Sequence, residues 1–375
     1  MENPFQYGKV VAEPYFTDRE TELASLIKDV EDRHNVVLHS PRRYGKTSLL
    51  CKLAACMQER DYNVIYLDFF RVTSRESFME LYSREIFNQS GKRWKSVLKQ
   101  IGALVQGMRP VVSFDAQGKP KYSVTFEAGK VLSESLESVL DLTEKLDPPK
   151  RWLVIFDEFQ EIAKLNGESF ENALRAAIQH HKRSSYVFSG SRHHLLLDIF
   201  NRPGRAFYRF GKVMQLAKID PAIMAKFVVD RFKQSGKDIS PELAAQLIER
   251  VENIPNYVQY LAAELWQLAW QKNCDPDAAL LERALESMLD NLADFFLQIW
   301  DGLSLQQKRI VLALSRENTN PFSQDYHKRY RLGPISSSQR AIQKLLADQL
   351  LAKRGSAYEF SDPLFLLFIR KRFLV

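Results

Sequence analysis

Residues 40–47 bring together a glycine, a lysine and a threonine directly after an apolar run. The segment reads Ser-Pro-Arg-Arg-Tyr-Gly-Lys-Thr, and it departs from the phosphate-binding pattern G-x-x-x-x-G-K-S/T only where Ser40 replaces the first glycine. Gly45 lets backbone N–H groups close around phosphate oxygens at the start of a helix. Lys46 would neutralise the β- and γ-phosphates, and the Thr47 hydroxyl would bind Mg²⁺. We predict nucleotide contacts from Ser40, Pro41, Arg42, Arg43, Tyr44, Gly45, Lys46, Thr47 and Ser48.

Two carboxylates follow a second apolar run about 110 residues further along the chain, where residues 153–158 read Leu-Val-Ile-Phe-Asp-Glu. Asp157 would hold Mg²⁺ through the water molecules that surround the ion. Glu158 would polarise the attacking water as a general base. Together with the loop, this pair predicts that a nucleoside triphosphate is bound and hydrolysed.

Further polar positions could complete the chemistry. We expect Ser189, after the apolar residues 186–188, to sense the γ-phosphate or the water, in preference to Ser191. Arg209 is expected to act as an arginine finger toward a neighbouring subunit, and a surface arginine without a catalytic role is the alternative. The predicted catalytic residues are Lys46, Glu158, Ser189 and Arg209.

Short apolar runs alternate with helical patterns in the first half of the chain. We predict a helix that begins near Lys46 and strands at 36–39, 63–68, 152–156 and 186–188. Continuously apolar strands are buried on both faces, so they indicate an α/β fold, a parallel sheet with helices on both faces. Both motifs then lie at the carboxyl ends of strands, where such sheets bind ligands.

An insertion interrupts this alternation. We predict a helical segment at 77–106, a β-hairpin at about 110–127 around the turn-rich residues 115–120, and a helix at 133–145. From 220 to 302 the pattern is helical, and Asp220, Ser240 and Asp275 each precede a proline as expected of N-caps.

The last part of the chain has the element order of a winged helix-turn-helix. Helices at 304–317, 324–330 and 336–349 are followed by strands at 350–353 and 357–360. The predicted domains are therefore a phosphate-binding core with the inserted hairpin (1–212), a helical lid (213–302) and a winged helix domain (303–375).

The net charge of +7 is unevenly distributed. Residues 303–375 contain 13 basic and 5 acidic residues, and residues 91–130 contain 8 and 2, whereas residues 211–302 contain 9 and 14. Two basic patches separated by an acidic module indicate a surface that binds a polyanion. A charge bias that only favours solubility is the alternative.

Composition and cysteine content restrict the class of protein. The chain is 45% hydrophobic and 26% charged, which excludes disordered and fibrous classes. No apolar run approaches the roughly 20 residues of a membrane span, and three cysteines cannot form a disulfide framework. We expect a water-soluble, cytoplasmic protein without a membrane partner.

Several segments resemble one family. Residues 40–49, Ser-Pro-Arg-Arg-Tyr-Gly-Lys-Thr-Ser-Leu, resemble the loop of the archaeal-type ATPases, which lie in the MNS clade of STAND P-loop ATPases near the AAA+ origin-recognition proteins. The other segments similar to that family are its adenine-side entry (3–8 and 16–23), its Asp-Glu strand (156–160), its sensor strand (189–191), its lid segment without the glycine (253–257) and its closing Asp-Pro (361–363).

This resemblance implies an AAA+/STAND-like P-loop ATPase core with a helical lid and a winged helix. It also implies ATP rather than GTP as the nucleotide, and a homo-oligomer. Pro255, in the lid segment, would lie at the nucleotide.

The winged helix predicts contact with duplex DNA. Its recognition helix would enter the major groove and its wing would follow the backbone, with contacts from Arg340, Lys344, Lys353 and Arg354. Basic residues around the inserted hairpin could also grip DNA, or could simply cover a solvated insertion.

Three functions follow from these patterns, and the first is favoured. ATP could drive assembly on DNA, with hydrolysis as the reset. The nucleotide could instead switch a surface for a protein partner in signalling or defence. The chain could also be a nucleotide-binding scaffold with little turnover.

Overall fold

The computed structural model describes residues 2–11, 15–90, 96–97, 99–100, 108–114, 120–126, 133–146, 149–165, 168–355 and 357–374. The chain forms two compact units. The first is Val10–Ile219, and the second combines Met1–Lys9 with Asp220–Val375.

The first unit alternates strands and helices. Its strands are β1 (Val36–His39), β2 (Asn63–Asp68), β3 (Met108–Phe114), β4 (Pro120–Phe126), β5 (Trp152–Asp157), β6 (Ser184–Gly190) and β7 (Lys212–Gln215). Its helices are α1 (Glu20–Glu31), α2 (Lys46–Glu59), α3 (Arg75–Ser90), α4 (Ser133–Leu140), α5 (Leu142–Lys145), α6 (Glu168–Ile178) and α7 (His193–Asn201), with 3₁₀ turns at Phe69–Arg71 and Phe159–Lys164.

Five strands form one parallel sheet in the order β2-β5-β6-β1-β7. Alternate residues of β5 belong to two different hydrophobic clusters: Val154 and Phe156 to one, Leu153 and Ile155 to the other. Because successive side chains of a strand point to opposite faces, the two clusters cover both faces of the sheet. The predicted fold class is therefore confirmed.

The edge strand β7 was not among the predicted strands. Its residues are mostly exposed, so it lacks the continuous apolar run that marks a buried parallel strand. Because β7 pairs with β1, the chain leaves the first unit only after it, between Ile219 and Asp220. The division of the chain at 212 and 302 stays a prediction.

The inserted hairpin exists as predicted. Strands β3 and β4 pair antiparallel, with Val112 opposite Tyr122. The predicted helical segment at 77–106 is observed as α3, which ends at Ser90, and as helical residues 96–97 and 99–100. The turn at 115–119 and the remaining positions of that segment lie outside the described residues.

The second unit contains the helical region and the winged helix. Its helices are α8 (Pro221–Gln234), α9 (Pro241–Arg250), α10 (Pro255–Gln271), α11 (Ala278–Asn291), α12 (Ala293–Asp301), α13 (Leu305–Arg316), α14 (Gln324–Tyr330), α15 (Ile335–Ala347) and α16 (Pro363–Phe373). The antiparallel strands β8 (Leu351–Arg354) and β9 (Ala357–Phe360) form the wing.

Two of the three expected N-caps are correct. Asp220 and Ser240 accept hydrogen bonds from the first turns of α8 and α9. Asp275 was the wrong choice for α11, because that helix begins later and is capped by Asp277, which accepts from the backbone N–H of Leu280 at 2.7 Å. Asp275 instead accepts from the backbone N–H of Asp238 at 3.0 Å.

The N-terminal residues lie along α10. Asn3 donates to the carbonyl of Ala263 at 3.1 Å, and the ring of Tyr7 stacks on Tyr260 with centroids 4.0 Å apart. In the same unit, Phe365 and Phe368 of α16 pack on Phe296 of α12.

Among the helices of the described residues, none has both the length and the apolar character needed to span a membrane.

Candidate active site

The phosphate loop and the acidic pair meet at the carboxyl edge of the sheet. Lys46 is the first residue of α2, which begins seven residues beyond the last residue of β1, and Asp157 is the last residue of β5. The Lys46 ammonium lies 3.6 Å from Oδ1 of Asp157 and 3.4 Å from Oε1 of Glu158. Lys46 is 6% exposed, so this contact lies in a largely desolvated setting where charge interactions are strong.

The backbone of the loop has the shape that the motif requires. Gly45 is left-handed, with φ of 87°, and a Cβ there would meet no atom within 4 Å. Glycine is therefore favoured for its backbone conformation rather than for space. Ser40 and Tyr44 are buried, whereas Arg42 and Arg43 are exposed.

Arg19 supports the loop from inside the first unit. It is 4% exposed, and its guanidinium donates to the carbonyls of Tyr44, at 3.4 Å, and Ala217, at 2.7 Å. The sequence indicated Arg19 only as part of a family-like entry segment, because nothing local to it shows which carbonyls it would reach. Ser48, a predicted nucleotide contact, accepts from the backbone N–H of Val11 at 3.1 Å.

Asp157 is held by several donors. It accepts from the hydroxyls of Tyr66 at 2.7 Å and Ser189 at 2.8 Å, and from the backbone N–H of Glu158 at 3.0 Å. Burial alone would raise the pKa of Asp157, but the charge of Lys46 and these hydrogen bonds outweigh it and lower that pKa. The carboxylate is therefore ionised at neutral pH.

Tyr66 was not predicted to belong to the site. Burial, and then the charge of Asp157, raise its pKa, so it remains a neutral donor to the carboxylate. The local signal was a hydroxyl among the apolar residues 64–67. Its role depends on β2 lying beside β5, which puts Asp68 of β2 directly opposite Asp157.

The residues predicted to bind Mg²⁺ are adjacent. The Thr47 hydroxyl lies 3.4 Å from Oδ2 of Asp157. Hydroxyl and carboxylate oxygens are the hard ligands that Mg²⁺ prefers, and one or two of them from the protein are enough when phosphates and water supply the rest. The donor set therefore fits this ion.

Glu158 is held through one of its two oxygens. Oε2 accepts from the Gln160 amide at 2.6 Å, the Ser191 hydroxyl at 2.8 Å and the Ser191 backbone N–H at 3.3 Å. Oε1 faces Lys46. The two serines of the sensor strand thus have separate partners: Ser189 contacts Asp157, and Ser191 contacts Glu158.

Residues 16–261 match the profile of a family described as an ATPase domain predominantly from Archaea. The chain belongs to this family. Residues 294–371 of this ATPase match a probable winged helix domain. No protein with a curated description matches the sequence significantly.

Two solved structures share the fold of this ATPase over nearly its whole length. A Walker-type ATPase of Pyrococcus abyssi is 17% identical, with a TM-score of 0.67, and the match covers 98% of this chain and 99% of that one. The ORC2 protein of Aeropyrum pernix, in ADPNP and ADP complexes, is 14% identical, with a TM-score of 0.59 and 98% of both chains covered.

Two arginines that follow α7 differ in their surroundings. Arg205 is paired with Glu171 and with Asp198, the latter at 2.9 Å, so it is engaged within its own chain. Arg209 is exposed, with its guanidinium over the ring of Tyr208 at 5.2 Å. The assignment of Arg209 as a finger stays a prediction.

The residues predicted from the second half lie in the second unit. Pro255 is the buried first residue of α10, and its contact with a nucleotide stays a prediction. Arg340 and Lys344 lie on the exposed side of α15, where Lys344 is paired with Asp348 at 2.8 Å. Lys353 is exposed in β8, and Arg354 ends that strand.

Proposed function

We propose that this chain binds ATP together with Mg²⁺ and hydrolyses the γ-phosphate. The observation that carries this proposal is the position of the Lys46 ammonium, within 3.6 Å of both Asp157 and Glu158. The ammonium that would neutralise phosphate charge thus lies beside two carboxylates: that of Asp157, which would hold Mg²⁺, and that of Glu158, which would accept a proton from the attacking water.

Each residue has a distinct task in this proposal. Lys46 binds the β- and γ-phosphates, whose oxygens replace the carboxylates as its partners. Thr47 and Asp157 hold Mg²⁺, which neutralises charge on the phosphates when it is bound. Glu158 accepts a proton from water as the water oxygen bonds to the γ-phosphorus and the bond to the ADP oxygen breaks.

Two comparisons support ATP as the nucleotide. The chain belongs to a family described as an ATPase domain. The ORC2 protein with the same fold binds ADPNP and ADP.

Duplex DNA is the proposed partner of the winged helix. Ala341, Ile342 and Leu345 bury one side of α15, and the other side is exposed and polar. Glutamine can pair with adenine and arginine with guanine in the major groove. The exposed side consists of Ser336, Gln339, Arg340, Gln343 and Lys344. The surplus of basic residues in 303–375 also favours contact with the phosphate backbone of DNA.

One experiment separates the candidate functions. Phosphate release by the full chain is measured with and without duplex DNA, and particle size is measured with a non-hydrolysable ATP analogue. We expect DNA to stimulate turnover, affinity for DNA to fall steeply with salt, and the particle to be larger than a monomer. Basal turnover with no response to DNA would favour a switch that acts through a protein partner, and little turnover would favour a scaffold.

A further inference from the structure

The two carboxylate oxygens of Glu158 have different surroundings. Oε2 accepts three hydrogen bonds, two from Ser191 and one from Gln160. Oε1 lies 3.4 Å from the Lys46 ammonium, on the side where Lys46 would meet a phosphate. One oxygen is therefore saturated by neighbours in the fold, and the other is directed toward the site.

Gln160 is placed for this contact at a cost to its own hydrogen bonding. Its side chain is 3% exposed, and its Oε1 has no hydrogen-bond partner among the residues that the structure describes. A carboxylate can only accept, so the N–H end of the amide must face Glu158. Because an unsatisfied buried acceptor is destabilising, packing alone does not account for glutamine here.

Gly190 makes room for the same amide. A Cβ at position 190 would lie 2.2 Å from Oε1 of Gln160 and 3.3 Å from a methyl carbon of Leu196. Any larger residue would have to displace the Gln160 side chain. The glycine between Ser189 and Ser191 is thus explained by space.

The backbone of Glu158 adds to this arrangement. Its φ of 51° and ψ of 39° place it in the left-handed region, which non-glycine residues seldom adopt. Such a conformation persists where surrounding contacts hold it, and functional sites are a common place for it.

We propose that Gln160 and Ser191 are positioning residues that anchor Oε2 of Glu158, so that Oε1 is directed at the attacking water. The inference rests on the proposed function and goes beyond it, because it assigns the orientation of the base to two named donors. The proton of water passes to Oε1 while Oε2 keeps its three donors.

Gln160→Met tests the anchor. Methionine keeps the volume, removes the donor to Glu158 and removes the unsatisfied acceptor. We expect kcat for phosphate release to fall about tenfold, a fraction of the full contribution of a general base. The Kd for a fluorescent ATP analogue should stay within about twofold, and Tm should be unchanged or higher, because a buried unsatisfied oxygen is lost.

Gln307→Met is the matched control. Gln307 is also buried, but it accepts from the backbone N–H of Ser304 in the capping box of α13, and it belongs to the second unit, whereas the candidate site belongs to the first. Its loss should lower Tm and leave kcat unchanged. Gln160→Met should therefore lower kcat without lowering Tm, whereas Gln307→Met should lower Tm without changing kcat.

Two further variants address the same anchor. Gly190→Ala should displace the Gln160 amide and lower kcat with the same unchanged Kd. Ser191→Ala removes the second side-chain donor and keeps the backbone N–H, so it should also lower kcat. If Gln160→Met does not fold, these two variants provide the test.

The outcomes are distinguishable. If the wild-type protein hydrolyses ATP and kcat is normal or increased in Gln160→Met, the anchor is overturned and the proposed function stands. The same conclusion follows if kcat is normal or increased in both Gly190→Ala and Ser191→Ala. A wild-type protein that binds the ATP analogue without hydrolysing it, or does not bind it, overturns the proposed function and the anchor with it.

Discussion

The hydroxyl of Tyr66 donates a 2.7 Å hydrogen bond to Oδ2 of Asp157, the same oxygen that lies 3.4 Å from the Thr47 hydroxyl. The residue proposed to hold Mg²⁺ is therefore oriented from a neighbouring strand. Tyr66 lies in β2 and Asp157 ends β5, which pairs with it. Tyr66 thus restricts the rotation of the carboxylate that would hold Mg²⁺.

Tyr66→Phe should weaken the response to Mg²⁺. A hydrogen bond to a charged group contributes about 1.5–3 kcal/mol, so we expect the half-saturating Mg²⁺ concentration for phosphate release to rise about tenfold. The affinity for the ATP analogue in the presence of a chelator should not change. A titration of Mg²⁺ at fixed ATP measures the first quantity.

Tyr62→Phe is the control for this prediction. Tyr62 is a buried tyrosine that directly precedes β2, and its hydroxyl accepts from the Arg151 guanidinium at 3.0 Å. Its removal should leave the Mg²⁺ dependence unchanged. Equal Mg²⁺ titrations for wild type and Tyr66→Phe would show that Tyr66 does not orient Asp157.

Arg340→Ala combined with Lys344→Ala should weaken binding of duplex DNA and leave basal turnover intact. Removal of two positive charges from the exposed side of α15 should reduce affinity about tenfold or more and flatten its salt dependence. Fluorescence anisotropy of a labelled duplex at several salt concentrations measures both.

A charge-matched pair isolates the recognition helix from net charge. Lys226 and Lys272 are exposed lysines at α8 and at the end of α10. Their double alanine variant loses the same charge from the helical region and should bind DNA as wild type does. If the two double variants bind DNA equally well, α15 is not the DNA-binding surface.

Arg209 is predicted to act on the nucleotide of a neighbouring subunit. Arg209→Ala should have little turnover, because an arginine finger contributes about 10³-fold or more to the rate. Glu158→Gln should also have little turnover, because it lacks the proposed general base. When the two variants are mixed, some sites combine an intact Glu158 with an intact Arg209 from the partner subunit. Phosphate release should then reappear in the mixture, with a dependence on protein concentration.

Two outcomes would contradict a catalytic role of Arg209 in a neighbouring subunit. A mixture no more active than the sum of its parts would remove the trans role of Arg209. Full activity of Arg209→Ala alone would make it a surface arginine that stacks on Tyr208.

The sequence predicted what depends on continuous local patterns. Buried strands β1, β2, β5 and β6 were marked by apolar runs, and the start of α2 at Lys46 followed from the phosphate motif. Exposed β7 has no such run, and α16 was not among the predicted helices. The cap of α11 was misplaced because Asp275 and Asp277 are both chemically suitable.

The support of the site could not be read in the same way. Tyr66, Gln160 and Ser191 act on carboxylates through the neighbourhood of β2, β5 and β6, and strand order is not a local property of the sequence. The partners of Glu158 also depend on a glycine whose role is to leave space. These contacts depend on tertiary structure, which a pattern of residue types along the sequence does not reveal.

Nucleotide binding and phosphate release by Lys46→Ala and Glu158→Gln, measured beside wild type with Mg²⁺, test the central claim most directly. We expect Lys46→Ala to lose both activities, and Glu158→Gln to bind the ATP analogue normally while releasing almost no phosphate. Wild-type turnover in Glu158→Gln, or undiminished binding in Lys46→Ala, would contradict the account.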